Sequence, residues 1–381
     1  MRLRRIFPAR CVLLLSFTLL LGSSPIGNSE ASAAEAKTSW QLNWERTIEG
    51  AKKEGKLVAA IPASAELRQQ IEAVFKSKFP GIELELFPGR GPANANRILS
   101  EHRAGVRYFD LLISGTSTPF GILKGGIIEP FEPFMILPEV SDPKNWYGGH
   151  IWIDNAKRFI YSFQAYQTEN MWYNTTVMKP EEVRSYDDLL HPKWKGKIGY
   201  LDPRTPGSGT STWAFLWKIK HEEYLRKLAG QDLLLGRDQR QLADSLANGK
   251  LAVVVGLTYY TLLPHVKAGL PVKPLPEPKE GNYTTCGSGA FSIIQNPPHP
   301  NAAKLFVNWL LSKEGQELYG KAMGQATRRL DVETKWLTAT GVKAAKDYMT
   351  VEEHFKLENY GEDTVTEIWS RATEFAEKVL K

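Results

Sequence analysis

The 381-residue chain carries 48 lysines and arginines against 42 aspartates and glutamates, a formal charge of +6, and only two cysteines. With no clustered basic run, this balance argues against a nucleic-acid partner, and Cys286 stands alone beyond the first 33 residues, so the fold does not rest on an internal disulfide. The length exceeds what one hydrophobic core usually serves, which predicts two lobes.

The opening residues set the compartment. Arg2, Arg4, Arg5 and Arg10 precede an apolar run over Val12–Leu21, and small residues follow. That order is a secretory signal peptide, because the apolar run is half of the roughly 20 residues that a spanning helix needs. Ala31-Ser32-Ala33 is the cleavage candidate, so residues 1–33 are the signal and the mature chain starts near Ala34. Cys11 precedes the apolar run, the wrong side for lipid attachment. Loss of the four arginines and Glu30 lowers the formal charge from +6 to +3. A periplasmic protein that does not span the membrane after cleavage is expected, its residual charge compatible with an anionic ligand.

Trp40, Trp44, Ile48 and Ala51 share one helical face, and Leu57–Ile61 is an unbroken apolar run typical of a buried parallel strand. Ser64 is placed to cap a second helix whose inner face is Leu67, Ile71, Val74, Phe75 and Phe79. Ile82, Leu84 and Leu86 alternate as a strand, Gly89-Arg90-Gly91-Pro92 turns into a helix, and Phe109–Ile113 is a third strand opening into Ser114–Pro119. Alternating strands and helices predict an open, doubly wound parallel α/β sheet.

Phe159–Tyr173 alternates like one long strand that links the lobes. A second α/β series then runs through the strand Ile198–Leu201, the loop Asp202–Thr210, a helix over Ser211–Ile219 and the buried strand Leu251–Leu257. Ala290–Ile294 returns the chain to the first lobe, and Pro300–Leu311 is an amphipathic helix. Lobe 1 is thus expected over 34–160 plus 288–330, lobe 2 over 161–287, and a C-terminal helical cover over 331–381 in which Val365, Ile368, Trp369, Ala372 and Phe375 share a face.

Loops that leave a strand and enter a helix carry the useful chemistry, because helix N-termini present unpaired N–H groups and partial positive charge. Gly207, Ser208, Gly209 and Thr210 combine close backbone approach with hydroxyl donors; a plain capped turn is the alternative. Arg90, beside Gly91, offers a two-pronged grip on a carboxylate or phosphate, and Ser64, Thr116 and Ser117 occupy equivalent corners. Tyr259 and Tyr260 could give phenol oxygens to a ligand or to Fe(III), or could pack in the core, and Tyr283 could line a crossover. There is no Gly-x-Ser-x-Gly elbow, His-Glu-x-x-His or P-loop, so no catalytic residue is assigned.

The segments His299–Phe306 and Trp309–Gln316, with Phe109–Leu112, Pro192–Gly199 and Gly287–Ala290, resemble bacterial ABC-transporter extracellular solute-binding proteins of the ferric-ion-binding branch. The resemblance spans roughly residues 40–330. It implies the two-lobed type 2 periplasmic-binding-protein fold with two crossover strands, hinge closure on a small ligand, and an ABC importer permease as partner for a monomer. Tyr259-Tyr260 match the paired tyrosines of ferric binders. That branch commonly has a His after the first strand and a Glu after the third, where this chain reads Pro62–Ala65 and Ser114–Ser117. An oxyanion, an organic acid or a metal–anion complex therefore fits better than bare Fe(III). The alternatives are a hydrolase or transferase using the same cleft, with Asp202 as base, and a ligand-sensing subunit.

Overall fold

The first lobe is built on parallel strands Glu83–Gly89, Lys56–Pro62 and Leu111–Ser114, side by side in that order. This computed structural model describes residues 37–168 and 171–380, so the expected signal peptide, with Cys11 and the cleavage site, lies outside the described residues. Among the described residues no helix is long and apolar enough to cross a membrane.

The unbroken apolar run at Leu57–Ile61 is explained by helices on both faces of the sheet. Leu57, Ala59 and Ile61 enter a core shared with helices Ser39–Glu54, Ala65–Lys78 and Pro300–Leu311, while Val58 and Ala60 enter a core with Ile98 and Ile122 on the other side. Strand alternation sends successive side chains to opposite faces, so a strand covered twice must be apolar throughout. Ala290–Ile294 returns antiparallel against Leu111–Ser114 and pairs onward with Tyr161–Ser162. Tyr161 and Ser162, expected in the second lobe, thus pair inside the first lobe's sheet.

The second lobe repeats the plan. Strands Leu234–Gly236, Ile198–Leu201 and Val253–Val255 run parallel, and Met171–Asn174 and Val272–Pro274 complete a mixed five-stranded sheet. Val253 and Val255 face one core and Val254 the other. The helix expected over Ser211–Ile219 begins earlier, at Ser208, and reaches Ala229 with a break at His221.

A small third sheet joins the lobes: Tyr166–Thr168 pairs with Thr284–Thr285 on one side and with Val342–Ala344 on the other. The long strand expected over Phe159–Tyr173 is therefore three short ones, Tyr161–Ser162, Tyr166–Thr168 and Met171–Asn174, each in a different sheet. Residues 160–167 and 171–174 are all buried, so no change of burial among them marks the breaks. Residues 331–380, expected as a helical cover, are mostly helical and also add a strand. Val342–Ala344 is a strand of the joining sheet, and Trp369, Ala372, Phe375 and Ala376 are buried in the second lobe's own core.

Candidate functional site

The C-terminal ends of the parallel strands in both lobes open into one cavity of about 470 Å³. Ligands of open α/β sheets bind at such carboxyl ends. The first lobe contributes Pro62-Ala63, Gly89–Pro92 and Ser114–Thr118; the second contributes Pro206–Ser208, Arg237–Arg240 and the Thr258–Thr261 corner. The joining strands add Tyr166, Tyr283 and Thr285, and Trp369 comes from the C-terminal segment.

Helix N-termini converge here. Helices Gly91–Arg103, Ser208–Ala229, Gln239–Ala247 and Tyr259–Lys267 all begin at residues lining the cavity or next to them, and each presents N–H groups that favour an anion. The lining holds three arginines, Arg90, Arg237 and Arg240, against one aspartate. That aspartate, Asp238, caps its own helix by accepting from the Arg240 N–H at 2.8 Å, so part of its charge is already engaged. The balance of the lining is positive.

The residues singled out from sequence divide into two groups. Arg90, Gly91, Thr116, Ser117, Gly207, Ser208, Tyr260 and Tyr283 line the cavity. Ser64, Gly209, Thr210 and Tyr259 do not. Ser64 Oγ accepts the Leu67 N–H at 3.2 Å as an N-cap, and Thr210 Oγ1 donates to the carbonyls of Pro203 and Thr205. Gly209 holds the helix against its strand, since a Cβ there would strike the backbone carbonyl of Leu201. Each of these groups is engaged in making the corner, not in presenting it.

The two tyrosines part company. Consecutive residues on a helix point about 100° apart, and both lie in the first turn of Tyr259–Lys267. The Tyr260 ring lines the main cavity, while Tyr259 stacks on Trp172 with ring centroids 6.1 Å apart, beside a separate small pocket. Burial raises the phenol pKa of both, although Thr258 and Gln239 hydrogen bonds oppose it at Tyr260. Among the described residues no group of three His, Cys, Asp or Glu side chains is placed to hold a metal ion. Of the matched pair, Tyr260 alone lines the main cavity.

Other groups at the site are spoken for. Thr116 Oγ1 lies 3.1 Å from Cys286 Sγ, whose thiol burial pushes up to about 12; Cys286 is buried and unbridged. Asp202, the base of the rival enzymatic reading, does not line the cavity. Burial would raise its pKa, but Arg204 at 2.8 Å and Arg237 at 3.2 Å outweigh that and hold the carboxyl below its usual range. A carboxylate so paired is a poor proton acceptor.

Polar contacts bridge the lobes. Arg90 Nη1 donates to the Arg237 carbonyl at 2.7 Å, and Lys267 Nζ lies 3.7 Å from Glu66 Oε2. The Arg237–Arg240 corner escaped the sequence reading because its strand, Leu234–Gly236, is a three-residue edge strand. The signal that would have found it is Asp238 before Gln239, an N-cap in the same strand-to-helix setting as the other corners. Tyr166 and Trp369 carried strand and helical-face patterns but no local signal for the cavity.

Comparison with known proteins gives the same picture. A protein of Haemophilus influenzae described as uncharacterized is 31% identical over 145 residues, which are 37% of this chain and 41% of that protein. The chain therefore matches only about two fifths of the length of that curated relative. Among solved structures, the periplasmic binding protein AfuA from Actinobacillus pleuropneumoniae, with fructose-6-phosphate bound, aligns with a TM-score of 0.62 at 21% identity, over 85% of this chain and 99% of that one. Iron-bound HitA from Pseudomonas aeruginosa aligns at 0.60 and 18% over 85% and 99%, and the periplasmic binding protein P5PA at 0.64 and 18% over 86% and 100%. These likenesses show the two-lobed fold. The family described as bacterial extracellular solute-binding protein matches residues 59–317, which is more than half of the chain and takes in the cavity corners of both lobes; the protein belongs to the bacterial extracellular solute-binding proteins.

Proposed function

We propose that this protein captures a small organic anion, a phosphate ester or a polycarboxylate, between its lobes in the periplasm and delivers it to the permease of an ABC importer. One observation carries the reading: strand-end corners from both lobes converge on one cavity whose lining has three arginines, one aspartate and several helix N-termini. A volume of about 470 Å³ suits a whole small molecule, since ligand pockets run from about 300 to 1,000 Å³. Fructose-6-phosphate in AfuA, and iron with citrate in a Trichodesmium structure of the same fold, are ligands of this chemical kind. Bare Fe(III) is disfavoured because Tyr259 faces away from the cavity.

Binding needs no chemistry on the ligand. Contacts from both corners favour the closed arrangement, in which Arg90 reaches Arg237, and the permease reads that shape. The test is titration of the mature protein with inorganic phosphate, citrate, fructose 6-phosphate and neutral fructose, followed by calorimetry, thermal unfolding and solution scattering. At least one anion should bind, raise the melting temperature and reduce the radius of gyration, and fructose should do none of these. Recovery of the anion unchanged supports a carrier. Absence of binding by every anion, or equal binding of fructose, defeats the reading.

A further inference from the structure

We propose that the C-terminal segment is part of the ligand site, and that Trp369 is the aromatic face that selects anions carrying a ring or other apolar body over bare oxyanions. The inference rests on the anionic reading of the cavity and adds the part of the ligand that the arginines do not address.

The segment lies beyond residues 59–317, where the family match ends, yet it is woven through both lobes. Val342–Ala344 pairs with the joining strand Tyr166–Thr168. Thr284 on the other joining strand donates its N–H to the Leu357 carbonyl at 2.9 Å and its hydroxyl to the His354 carbonyl at 2.8 Å. The chain then touches the first lobe, where the Asn155 N–H donates to Glu362 Oε2 and Asn155 Nδ2 to Asp363 Oδ1, both at 2.7 Å. It ends as helix Ser370–Val379 on the second lobe, with Trp213 Nε1 donating to the Ala372 carbonyl at 3.0 Å.

Between its first-lobe and second-lobe attachments the segment winds as a π-helical turn, Thr364–Trp369. Such turns are rare and recur at functional sites, because one extra residue per turn re-aims the side chains that follow. Here the turn ends on Trp369. Its indole is pinned: Nε1 donates to Asn359 Oδ1 at 3.2 Å, and Asn359 Nδ2 donates to the carbonyl of Ser211, itself a lining residue. Trp369 is 4% exposed, whereas Arg90, Arg237 and Arg240 are all exposed. The charged groups therefore hold the rim and the indole lies inside. An anion whose head is held by the arginines presents its remaining body to the interior, where an aromatic face is the complementary surface.

The test uses the full mature chain and two probes, inorganic phosphate and fructose 6-phosphate, titrated calorimetrically into wild type, Trp369→Ala and Trp369→Leu. Leucine keeps apolar volume in the second lobe's core, so it carries the test should the alanine variant unfold in a melting scan. Wild type is expected to bind fructose 6-phosphate more tightly than phosphate. Both substitutions should raise the Kd for fructose 6-phosphate about tenfold and leave that for phosphate within about twofold. Equal loss for both probes, no loss for either, or a wild type that prefers phosphate overturns the role of Trp369 and leaves the anion reading standing. A wild type that binds neither probe, nor citrate, removes the anion reading and this inference with it.

Discussion

Arg90 and Arg237 meet across the cleft: the guanidinium of one donates to the main-chain carbonyl of the other at 2.7 Å, joining corners 147 residues apart in sequence. One contact thus ties the turn that starts helix Gly91–Arg103 to the turn that starts helix Gln239–Ala247. The remaining donors of the Arg90 fork are available to a ligand lodged between them.

Arg90 is accordingly expected to act in both capture and closure. Hydrogen bonds to charged groups contribute about 1.5–3 kcal/mol, so Arg90→Ala should weaken binding of the tightest anion by about 10- to 100-fold. Lysine at 90 should recover only part, because it lacks the planar fork. Calorimetric titration distinguishes these; unchanged affinity in Arg90→Ala would remove this residue from the site.

The divergence of the two tyrosines gives a paired test. Tyr260→Phe removes a cavity hydroxyl and should weaken anion binding by about 1 kcal/mol, roughly fivefold. Tyr259→Phe should leave affinity unchanged, since that ring stacks on Trp172 outside the main cavity. Equal losses in both variants would mean that the phenols act as a pair.

Asp202 is held ionised by Arg204 and Arg237 against the opposing effect of burial. A carboxyl whose folded pKa lies below its unfolded one stabilises the fold above the unfolded value, near 3.9, and that stability is lost as pH falls through the folded value. Asp202→Asn should lower stability at pH 7 by about 2 kcal/mol. It should also flatten the acid limb of the stability profile below about pH 4, as read by urea unfolding at several pH values.

His354 works in the opposite region. It is fully buried, and burial together with nearby Arg328 lowers its pKa to about 4. Between that value and the ordinary 6.5, the unfolded chain takes up a proton that the folded chain refuses, so stability falls as pH drops through this window. The full effect is about 3 kcal/mol. His354→Gln cannot be protonated, so its melting temperature should change less between pH 7 and 4 than that of wild type; equal slopes would contradict the assignment. Because the His354 carbonyl anchors Thr284 of a joining strand, the same window should loosen the region between the lobes.

Gly209 is where the helix of the second corner presses on strand Ile198–Leu201. A methyl group there would collide with the Leu201 carbonyl, which is backbone and cannot move aside cheaply. Gly209→Ala should therefore cost about 1–3 kcal/mol in chemical unfolding. It should also weaken anion binding, although Gly209 itself does not line the cavity. A stable variant with native affinity would show that this close approach is dispensable.

Much of the corner geometry was legible because its causes are local. Ser64 before a helical face, Gly89-Arg90-Gly91-Pro92 and the Ser/Gly-rich run after Leu201 are helix starts written within a few residues. Local signals could not say which residues at a corner reach the cavity: Thr210 and Ser208 share one helix start, and each hydroxyl donates to backbone carbonyls, Thr210 to Pro203 and Thr205 and Ser208 to Gly256, yet only Ser208 lines the cavity. The helix Tyr259–Lys267 was hidden by Pro264 within it, and with it the divergence of the two tyrosines. The break-up of Phe159–Tyr173 into three sheets was equally invisible, since nothing local in these short pieces says which sheet each one joins.

By itself, then, the sequence determined two α/β lobes, their strand-to-helix corners and the positive tendency of those corners, because apolar runs and helix caps act within a turn or a strand. Only the tertiary structure decided that Arg237–Arg240 faces Arg90, that Tyr259 turns away, and that Trp369 reaches the cavity. Those outcomes depend on contacts between residues distant in sequence, Arg90 with Arg237 and Tyr259 with Trp172 among them, whose energies come from shared burial and crossing hydrogen bonds and leave no periodic trace in either partner.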